Sequence, residues 1–511
     1  MQEQTPVHTF PDLDPANALD PDLYQELVAR VSKWGAEYLG SISNRPIREP
    51  IEPGDILAAL PEHPPEHGTG LAGWDGMLAD VRSIIEPGLV HWQHPGFFAY
   101  FSCNASAPAI AGELACATLN VNGMLWATSP AATELEMRIM DWCAELFGLP
   151  DAFQFRAAGP GGGVIQSTAS EATLAALLAA RSGAIANGAT RDQVTVYTSA
   201  QAHSSVIKAA MVAGLADHPG DDSRVRAIGT NADLSIDTDE LADRIARDLA
   251  NGLVPALVVA TLGTTSTGAF DSIDRVESVL SELEHPPWLH VDAAWAGAAL
   301  VCPEHHAFAS GLEHADSICI NPHKWLLTNF DCDLFWVRDA RALTGSMGIT
   351  PAYLRDDHSD AGAVVDYRDW HVPLGRRMRA LKLWFVIRHY GLEGLRTHIR
   401  RHVDLAERVE RTLRADSRLS IPVARSLALV CFRIAGDDAE RADGQTEAMV
   451  ERVNASGRVL ITPTRVPLEP GGKSRVVARI SVGTVTTDDA AIDRLLKEID
   501  AAVGTVIQSV P

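Results

Sequence analysis

The sequence predicts an α/β fold built on a mostly parallel sheet. From about residue 107, helical patterns alternate with short apolar runs rich in β-branched residues, as in repeated strand-helix-strand units. Several of these runs end in polar side chains, and ligands of open α/β sheets bind at the carboxyl ends of strands. We therefore expect a ligand cleft where those polar residues meet.

Length, charge and cysteine content exclude several classes of protein. The 511 residues exceed what one hydrophobic core usually supports, so two or three packed units are expected. The 43 basic and 66 acidic residues give a net charge of -23, which disfavours binding to nucleic acids or anionic membranes. Seven cysteines without a C-x-x-C pair, and an N-terminus without a basic region followed by an apolar core, predict a cytoplasmic protein.

The N-terminal segment, residues 1–106, is predicted to contain a helix followed by an extended arm. Apolar residues recur at helical spacing within residues 21–40. These residues are Leu23, Leu27, Val31 and Trp34. The proline-rich stretch at 45–65 cannot form one regular element.

Residues 107–381 are predicted to form the large α/β domain, and residues 382–511 a smaller α+β unit. The strand candidates of the large domain are 194–197, 256–261, 288–291 and 317–320. The smaller unit should begin with a long helix and contain strands near 427–434 and 476–482. Its last helix carries one apolar face, formed by Ile492, Leu495, Leu496, Ile499 and Val503.

Lys324 is the first candidate for chemistry. It follows the apolar run 317–320 and the pair Asn321-Pro322, which ends regular strand pairing and places the lysine beside buried surface. Burial lowers the pKa of a lysine, and the neutral amine is the nucleophile that Schiff-base chemistry requires. A solvated surface lysine is the alternative interpretation.

Asp292 supports the functional interpretation of Lys324, because it ends another short strand about one strand-helix unit earlier. An aspartate at that point could keep a pyridine nitrogen protonated, which favours a pyridoxal cofactor as electron sink. A helix cap is the alternative role for an aspartate at a strand end.

A phosphate site is predicted in the glycine-rich stretch 159–171. Thr168 and Glu171 have the spacing of a capping box, so free N-H groups near Ala169 and Ser170 should face an anion at a helix N-terminus. A simple loop is the alternative. The spacing differs from G-x-G-x-x-G, which argues against a dinucleotide site.

His203 follows the strand candidate 194–197 and could stack its ring on a cofactor; a structural histidine is the alternative. Two H-x-x-x-H spacings lack the glutamate of H-E-x-x-H, and no cysteine-histidine cluster has zinc spacing. We therefore expect no catalytic metal. G-x-S-x-G is also absent, which weakens a serine hydrolase interpretation.

At these residues the sequence resembles the group II decarboxylases that use pyridoxal-5'-phosphate (PLP), and among them the aromatic-L-amino-acid decarboxylases. The resemblance runs from about Leu23 to the last helix. Its most specific segments are HPGFFAYF (94–101), SPAATELE (129–136), GGGVIQSTASEATLAALLAAR (161–181), QAHSSV (201–206), ATLGTTSTGAFD (260–271), HVDAAWAG (290–297), NPHKWLLTNFDCD (321–333) and DYRDWHVPLGRRMRALKLWF (366–385).

The resemblance implies a type I PLP fold with a mostly parallel seven-stranded sheet, in a homodimer whose active site lies at the subunit interface. It also implies that Lys324 forms the Schiff base, that Asp292 pairs with the pyridine nitrogen, and that Tyr353 in a mobile loop supports protonation of the product. The implied cofactor-binding residues are Ala169, Ser170, His203, Thr265, Asp292, Ala294, Asn321, His323 and Lys324.

The implied substrate pocket favours an aromatic amino acid. Its positions are Trp92, Tyr100, Phe101, Cys103, His203 and Gly375, with Asn122 and Met124 supplied by the partner subunit. Asn122 and Met124 replace larger apolar or aromatic residues of animal DOPA decarboxylases, so the pocket should be more polar. Gly375 matches a glycine of indole-preferring plant relatives and favours tryptophan.

Other functions compete with this interpretation. An aldehyde synthase of the same fold would normally lack the loop tyrosine or the stacking histidine, yet Tyr353 and His203 are both present. Another group II decarboxylase, acting on glutamate or histidine, remains an alternative. A catalytically silent PLP-binding protein would have lost one of Lys324, Asp292 or His203, and an aminotransferase would need an arginine for the substrate carboxylate.

Overall fold

The computed structural model describes residues 17–349 and 363–509 and is built around one large sheet. Its seven strands are β1 (Gly162–Gln166), β2 (Val194–Ser199), β3 (Val225–Ile228), β4 (Val254–Thr261), β5 (Trp288–Asp292), β6 (Ser317–Ile320) and β7 (Asp333–Val337). Their spatial order is β1-β7-β6-β5-β4-β2-β3. The five strands from β6 to β3 run parallel, and β7 is antiparallel to β1 and β6. The predicted mostly parallel, seven-stranded sheet is confirmed.

The four predicted strands of the large sheet correspond to β2, β4, β5 and β6. Nearly all their residues are buried, because helices cover both faces of the sheet. The helices before and around this sheet are α1 (Pro21–Ser41), α2 (Asp55–Ala59), α3 (Trp74–Asp80), α4 (Ala107–Leu119), α5 (Pro130–Leu146), α6 (Ala169–Ala186), α7 (Ser205–Val212), α8 (Thr238–Ala250), α9 (Ile273–Leu280), α10 (Pro322–Trp325) and α11 (Arg341–Met347).

Within the stretch 159–171 that was predicted to hold a phosphate, the glycines lie apart from Ala169 and Ser170. Gly162 and Gly163 belong to the edge strand β1, and neither lines the cleft described below. A Cβ atom at Gly162 would lie 2.4 Å from the Phe155 ring, and one at Gly163 would lie 2.3 Å from Met140. The glycines therefore allow close packing of a buried strand.

A smaller antiparallel sheet lies towards the C-terminus. Its strands are β8 (Leu419–Ser420), β9 (Leu429–Ile434), β10 (Thr462–Pro467) and β11 (Ser474–Ser481), in the order β10-β11-β9-β8. The remaining helices are α12 (Ala380–Arg414), α13 (Ala439–Ala455) and α14 (Asp489–Ser509). The predicted long helix is α12, which has a kink at Gly391. On α14 the predicted apolar face is buried, apart from the partly buried Leu496.

The N-terminal helix α1 lies on the outside of the chain. Its N-cap is Asp20, whose carboxylate accepts the Leu23 N-H at 2.9 Å, and none of its residues is buried. The proline-rich stretch that follows contains only the short helix α2. Within residues 17–349 and 363–509, no helix combines the length and apolar character needed to cross a membrane.

Candidate active site

The carboxyl ends of β4, β5 and β6 open into one cleft of about 160 Å³. Parallel strands place their carboxyl ends on the same side of a sheet, so residues far apart in the sequence meet there. The cleft is lined by all nine predicted cofactor residues: Ala169, Ser170, His203, Thr265, Asp292, Ala294, Asn321, His323 and Lys324. Phe101, Thr168, Thr261, Gly263 and Trp295 complete the lining.

Lys324 lies on the short helix α10, which directly follows β6. Removal of the ammonium group from water lowers the pKa of Lys324, while the negative charge of Asp292 opposes this shift. Its Nζ atom lies 5.5 Å from the centre of the Phe101 ring. The cleft thus favours the neutral, nucleophilic form of this amine.

Asp292 is the last residue of β5 and is 5% exposed. Its Oδ1 atom accepts the N-H of Ala294 at 3.0 Å, and the Cys319 thiol donates to the same oxygen over 3.8 Å. These bonds fix one side of the carboxylate. Asp292 can therefore hold a proton on a partner in the cleft.

Helix α6 begins at Ala169 beside this cleft, but the predicted capping box does not form. Glu171 accepts the N-H and the hydroxyl of Ser167 at 3.0 and 2.7 Å, and Thr168 makes no side-chain cap. Burial opposes ionisation of Glu171, but the bonds from His371 and Ser167 prevail and lower its pKa to about 2. Within the described parts of the chain, the N-H groups of Ala169 and Ser170 have no acceptor, so they can bind an anion.

The two histidines of the cleft are held in defined tautomers. The Ser205 N-H donates to Nδ1 of His203 at 3.2 Å, and the Cys332 N-H donates to Nδ1 of His323 at 3.0 Å. Each neutral ring therefore carries its proton on Nε2. Burial and the charge of Lys324 lower the pKa of His203, and the same two causes lower the pKa of His323 to about 3.

One wall of the cleft is aromatic. The Phe101 ring stacks on Trp295 at 4.3 Å between centroids, and Trp295 stacks in turn on Trp325 at 5.2 Å. Trp325 donates its indole N-H to Nδ1 of His402 at 2.9 Å. Such a stack is rigid and apolar, and it suits a flat ligand. Trp295 was not predicted, although it stands next to Ala294 within a segment that carried the family resemblance.

Arg479 also escaped prediction. It is 3% exposed, lies 4.4 Å from the centre of the Phe101 ring and donates to the backbone oxygens of Thr265 and Tyr100. Its remaining terminal nitrogen, Nη2, has no hydrogen-bond partner among the described residues. The signal available in the sequence was a single charged residue inside an apolar run, at 476–482.

The predicted substrate residues are distributed over several places. Phe101 lines the cleft, and Cys103 lies close enough to Lys324 for that charge to act on its thiol. Trp92 and Tyr100 stack on each other and line a separate hollow of about 470 Å³. In one chain, therefore, the cleft does not include every predicted position.

Asn122, Met124 and Gly375 form a group apart from the Lys324 cleft. The Asn122 amide lies 3.6 Å from the Met124 sulfur, and a Cβ atom at Gly375 would be 3.7 Å from the same amide. Tyr353 lies outside the described residues. Within those residues, no group of three or more His, Cys, Asp or Glu side chains is arranged to hold a metal ion.

Comparison with known proteins shows which family the chain resembles over most of its length. Residues 53–435 match the family model described as the pyridoxal-dependent decarboxylase conserved domain. The chain is 39% identical to the aromatic-L-amino-acid decarboxylase of Mus musculus over 484 residues, which cover 93% of this chain and 96% of that protein. It is also 39% identical to the phenylacetaldehyde synthase of Arabidopsis thaliana, over 91% of this chain and 92% of that one.

Among solved structures, the chain is similar to Oryza sativa TDC, crystallised with PLP and tryptamine. The TM-score is 0.90 and the sequence identity 37%, over 95% of this chain and 99% of the other. The similarity therefore extends over both sheets and the N-terminal segment.

Proposed function

The chain belongs to the pyridoxal-dependent decarboxylase family, and we propose that its substrates are aromatic L-amino acids, which it converts into amines and carbon dioxide. It is a carboxy-lyase, and its cofactor is PLP. The observation that carries the proposed substrate class is the aromatic wall of Phe101 and Trp295 beside Lys324. A flat aromatic side chain gains most from such a surface.

The residues of the cleft fit PLP. Ala169 and Ser170 offer free backbone N-H groups at a helix N-terminus, where a phosphate is favoured. Asn321 is 2% exposed, and its amide oxygen has no hydrogen-bond partner among the described residues, so this side chain is not committed elsewhere. We assign these three residues to the phosphate end of the cofactor.

Lys324 and Asp292 are assigned to the reactive end. PLP, when bound, supplies a cationic ring that accepts the electron pair released as carbon dioxide leaves. The lowered pKa of Lys324 keeps its amine available for a Schiff base and for proton transfer. Asp292 would hold the proton at the pyridine nitrogen of PLP, and the neutral His203 would cover the ring.

We propose that the enzyme acts as a homodimer. Helix α1 buries none of its residues in one chain, although Tyr24, Val31 and Leu39 are apolar and exposed. Asn122, Met124 and Tyr353 are assigned to a site completed by the partner subunit, with Tyr353 supporting protonation of the product. All seven cysteines are free thiols, which supports the proposed cytoplasmic setting.

Gly375 is proposed to leave room for an indole ring. Among the described residues other than its chain neighbours, the Asn122 amide is the only group within 4 Å of a Cβ atom at this position, at 3.7 Å. A serine hydroxyl would fit there and could bond to a phenol. We expect Gly375→Ser to raise the ratio of tyrosine to tryptophan decarboxylation, measured as kcat/KM for each. An unchanged ratio would show that Gly375 does not determine the preference between tyrosine and tryptophan.

An aldehyde synthase is the second candidate, favoured by the similarity to the phenylacetaldehyde synthase. Such an enzyme also releases ammonia and consumes oxygen. Retention of His203 and Tyr353 favours the amine as product instead.

The deciding experiment offers tryptophan, 5-hydroxytryptophan, DOPA, tyrosine and phenylalanine to the PLP-loaded protein and quantifies amine and aldehyde by mass spectrometry. Amine with little aldehyde supports the decarboxylase and ranks its substrates. Aldehyde with ammonia and peroxide supports the synthase. The control is Lys324→Ala, which lacks the amine and should form neither product. No product from wild type with any of the five substrates would overturn the aromatic assignment.

A further inference from the structure

A row of five side chains on one face of the large sheet leads to Asp292. Trp288, His290 and Asp292 alternate along β5, and Ser317 and Cys319 alternate along β6. The register pairs His290 with Ser317, and Asp292 with Cys319. Because side chains two residues apart share a face of a sheet, the five side chains lie side by side.

The first hydrogen bond of this row has a fixed direction. The indole N-H of Trp288 can only donate, and it donates to Oγ of Ser317 at 2.7 Å. The Ser317 hydroxyl is then free to donate to Nδ1 of His290, at 2.9 Å. We assign Nδ1 as the acceptor of this bond, which places the proton of the neutral imidazole on Nε2. Burial lowers the pKa of His290 to about 4, so the ring is neutral at neutral pH.

The row continues from His290 to Asp292 through a sulfur atom. Nε2 of His290 lies 3.8 Å from Sγ of Cys319, and that sulfur lies 3.8 Å from Oδ1 of Asp292. Burial raises the pKa of Cys319 well above its usual range, so the thiol keeps its proton. With the imidazole N-H directed at sulfur, the S-H proton is directed at the carboxylate, which also accepts the Ala294 N-H at 3.0 Å.

We propose that His290 and Cys319 are positioning residues that orient the Asp292 carboxylate toward the pyridine nitrogen of PLP. This inference rests on the proposed role of Asp292. Two donors on Oδ1 leave Oδ2 as the oxygen that can face the ring nitrogen. Three other titratable groups act on Asp292: Lys324 and His203 from the cleft, and Asp333 from β7.

Loss of the thiol should weaken the contact between Asp292 and the ring nitrogen of PLP. The carboxylate would keep the Ala294 N-H but lose its second donor, so it could rotate away from the ring nitrogen. The ring nitrogen would then be less cationic, which weakens both PLP binding and the electron sink. Substrate contacts would not change, because Cys319 does not line the cleft.

The test compares Cys319→Ala, Cys319→Ser and the control Cys143→Ala. Cys143 is equally buried but lies on α5, outside the cleft lining. Three quantities are measured: the Kd of PLP by equilibrium dialysis of apoprotein, the absorbance of bound PLP across neutral pH, and kcat and KM separately. Thermal unfolding of each apoprotein reports on folding.

We expect Cys319→Ala to weaken PLP binding and to lower kcat by about tenfold each, with KM nearly unchanged. The absorbance of its bound PLP should vary with pH where that of wild type is constant. Cys319→Ser keeps a donor and should restore all three quantities, while Cys143→Ala should leave them at wild-type values. His290→Leu should act in the same direction as Cys319→Ala, but less strongly, because the thiol remains.

Equal behaviour of Cys319→Ala and Cys143→Ala, or failure of Cys319→Ser to restore PLP affinity, would overturn the inference. Both PLP readouts are independent of which amino acid is the substrate. If the enzyme does not act on aromatic amino acids, no amine will form from them, but the effects of the variants on PLP affinity and absorbance will remain.

Discussion

Asp333 and Asp248 are both buried, but their surroundings differ. Neither carboxylate oxygen of Asp333 has a hydrogen-bond partner among the described residues, and its neighbours include the acidic Asp292 and Glu171. Asp248 accepts two bonds from Arg226, at 2.8 and 2.7 Å, and one from the Tyr197 hydroxyl at 2.8 Å. Burial without a partner favours a neutral carboxyl, whereas burial with a bidentate arginine favours the ion.

Asp333→Asn should change how stability depends on pH. Burial raises the pKa of Asp333 well above its usual range. The contribution of this carboxyl to stability is then complete below the unfolded pKa of about 4 and is lost as the pH rises toward the folded pKa. Asparagine cannot ionise, so the stability of the variant relative to wild type should increase as the pH rises above the unfolded pKa.

The measurement is thermal unfolding of the apoprotein at acidic and at neutral pH. The exposed Asp239, changed to asparagine, is the control and should follow the wild-type pH profile. If Asp333→Asn shifts the melting temperature by the same amount at both pH values, the buried carboxyl is not neutral.

Asp248→Ala should be strongly destabilising, because it leaves the buried Arg226 without its counter-ion. The expected loss in the free energy of unfolding is about 3–5 kcal/mol. Tyr197→Phe removes the two hydrogen bonds of the hydroxyl, to Asp248 and to Thr195, but keeps the ion pair, and should cost about 2 kcal/mol. Urea unfolding distinguishes the two. Activity per folded molecule should stay at the wild-type level, because none of these residues lines the cleft; similar small losses for both variants would contradict the prediction.

Residues at strand ends could be predicted from the sequence, and residues that act through tertiary packing could not. Lys324 and Asp292 each follow an apolar run, so their shared location follows from the parallel sheet. Arg479 comes from the smaller sheet, and nothing local places β11 next to Phe101. Only the three-dimensional structure shows that Arg479 lies beside the cleft.

At the level of elements, two glycines within helices differ in their backbone conformation. Gly391 has φ 61° and ψ 179° within α12, a backbone region that is nearly exclusive to glycine. Gly183 lies within α6, and at either glycine a Cβ atom would meet no atom of residues 17–349 and 363–509 within 4 Å, apart from its chain neighbours and the helix backbone. Space is therefore equal at the two positions, and only the backbone conformation distinguishes them.

Alanine at these positions should have opposite effects on stability. Gly391→Ala should lower the free energy of unfolding by about 1–3 kcal/mol through backbone strain. Gly183→Ala should raise it by up to about 1 kcal/mol, because alanine is the better helix former. Urea unfolding of both variants checks the prediction. A stabilised Gly391→Ala variant would mean that α12 can run straight through its kink.

Helices and strands with a regular hydrophobic pattern were predicted from the sequence. Strand β1 and the capping contacts at the start of α6, whose residues also fit other structures, were not. The alternation of helices and apolar runs identified β2, β4, β5 and β6 and the long helix. Strand β1 was hidden because its glycines resemble a loop, although they allow packing against Phe155 and Met140. The capping box failed because Glu171 finds better partners in Ser167 and His371.

At the level of the whole molecule, the exposed apolar side of α1 predicts a second subunit. Val31 and Leu39 are 40% and 45% exposed, so aspartate at both positions would be tolerated in a monomer. In a dimer that covers α1, the two charges would be buried without partners. We expect the double variant to sediment at half the wild-type mass and to lose most of its activity.

Leu249→Asp is the control for this experiment. Leu249 is also apolar and 47% exposed, but it lies on α8, beside the large sheet. This variant should keep the wild-type mass and activity. A wild-type protein that sediments as a monomer, or a double variant that remains dimeric, would contradict the proposed interface.

The sequence predicted the architecture of one chain more completely than its pocket. Local patterns report strands and helices, but Asn122, Met124 and Gly375 lie apart from Lys324 in a single chain. A pocket that two subunits share depends on surfaces that meet only on assembly. These positions were predicted from the family resemblance and not from the hydrophobic pattern of the sequence.

The stacked indoles of Trp295 and Trp325 also give the protein an optical reporter. Trp295 lines the cleft itself, so a bound PLP would lie within range of resonance energy transfer from this pair. Ultraviolet excitation of the apoprotein should produce indole fluorescence that dims as the cofactor is added. Cofactor loading could then be followed continuously, without a label and without any substrate.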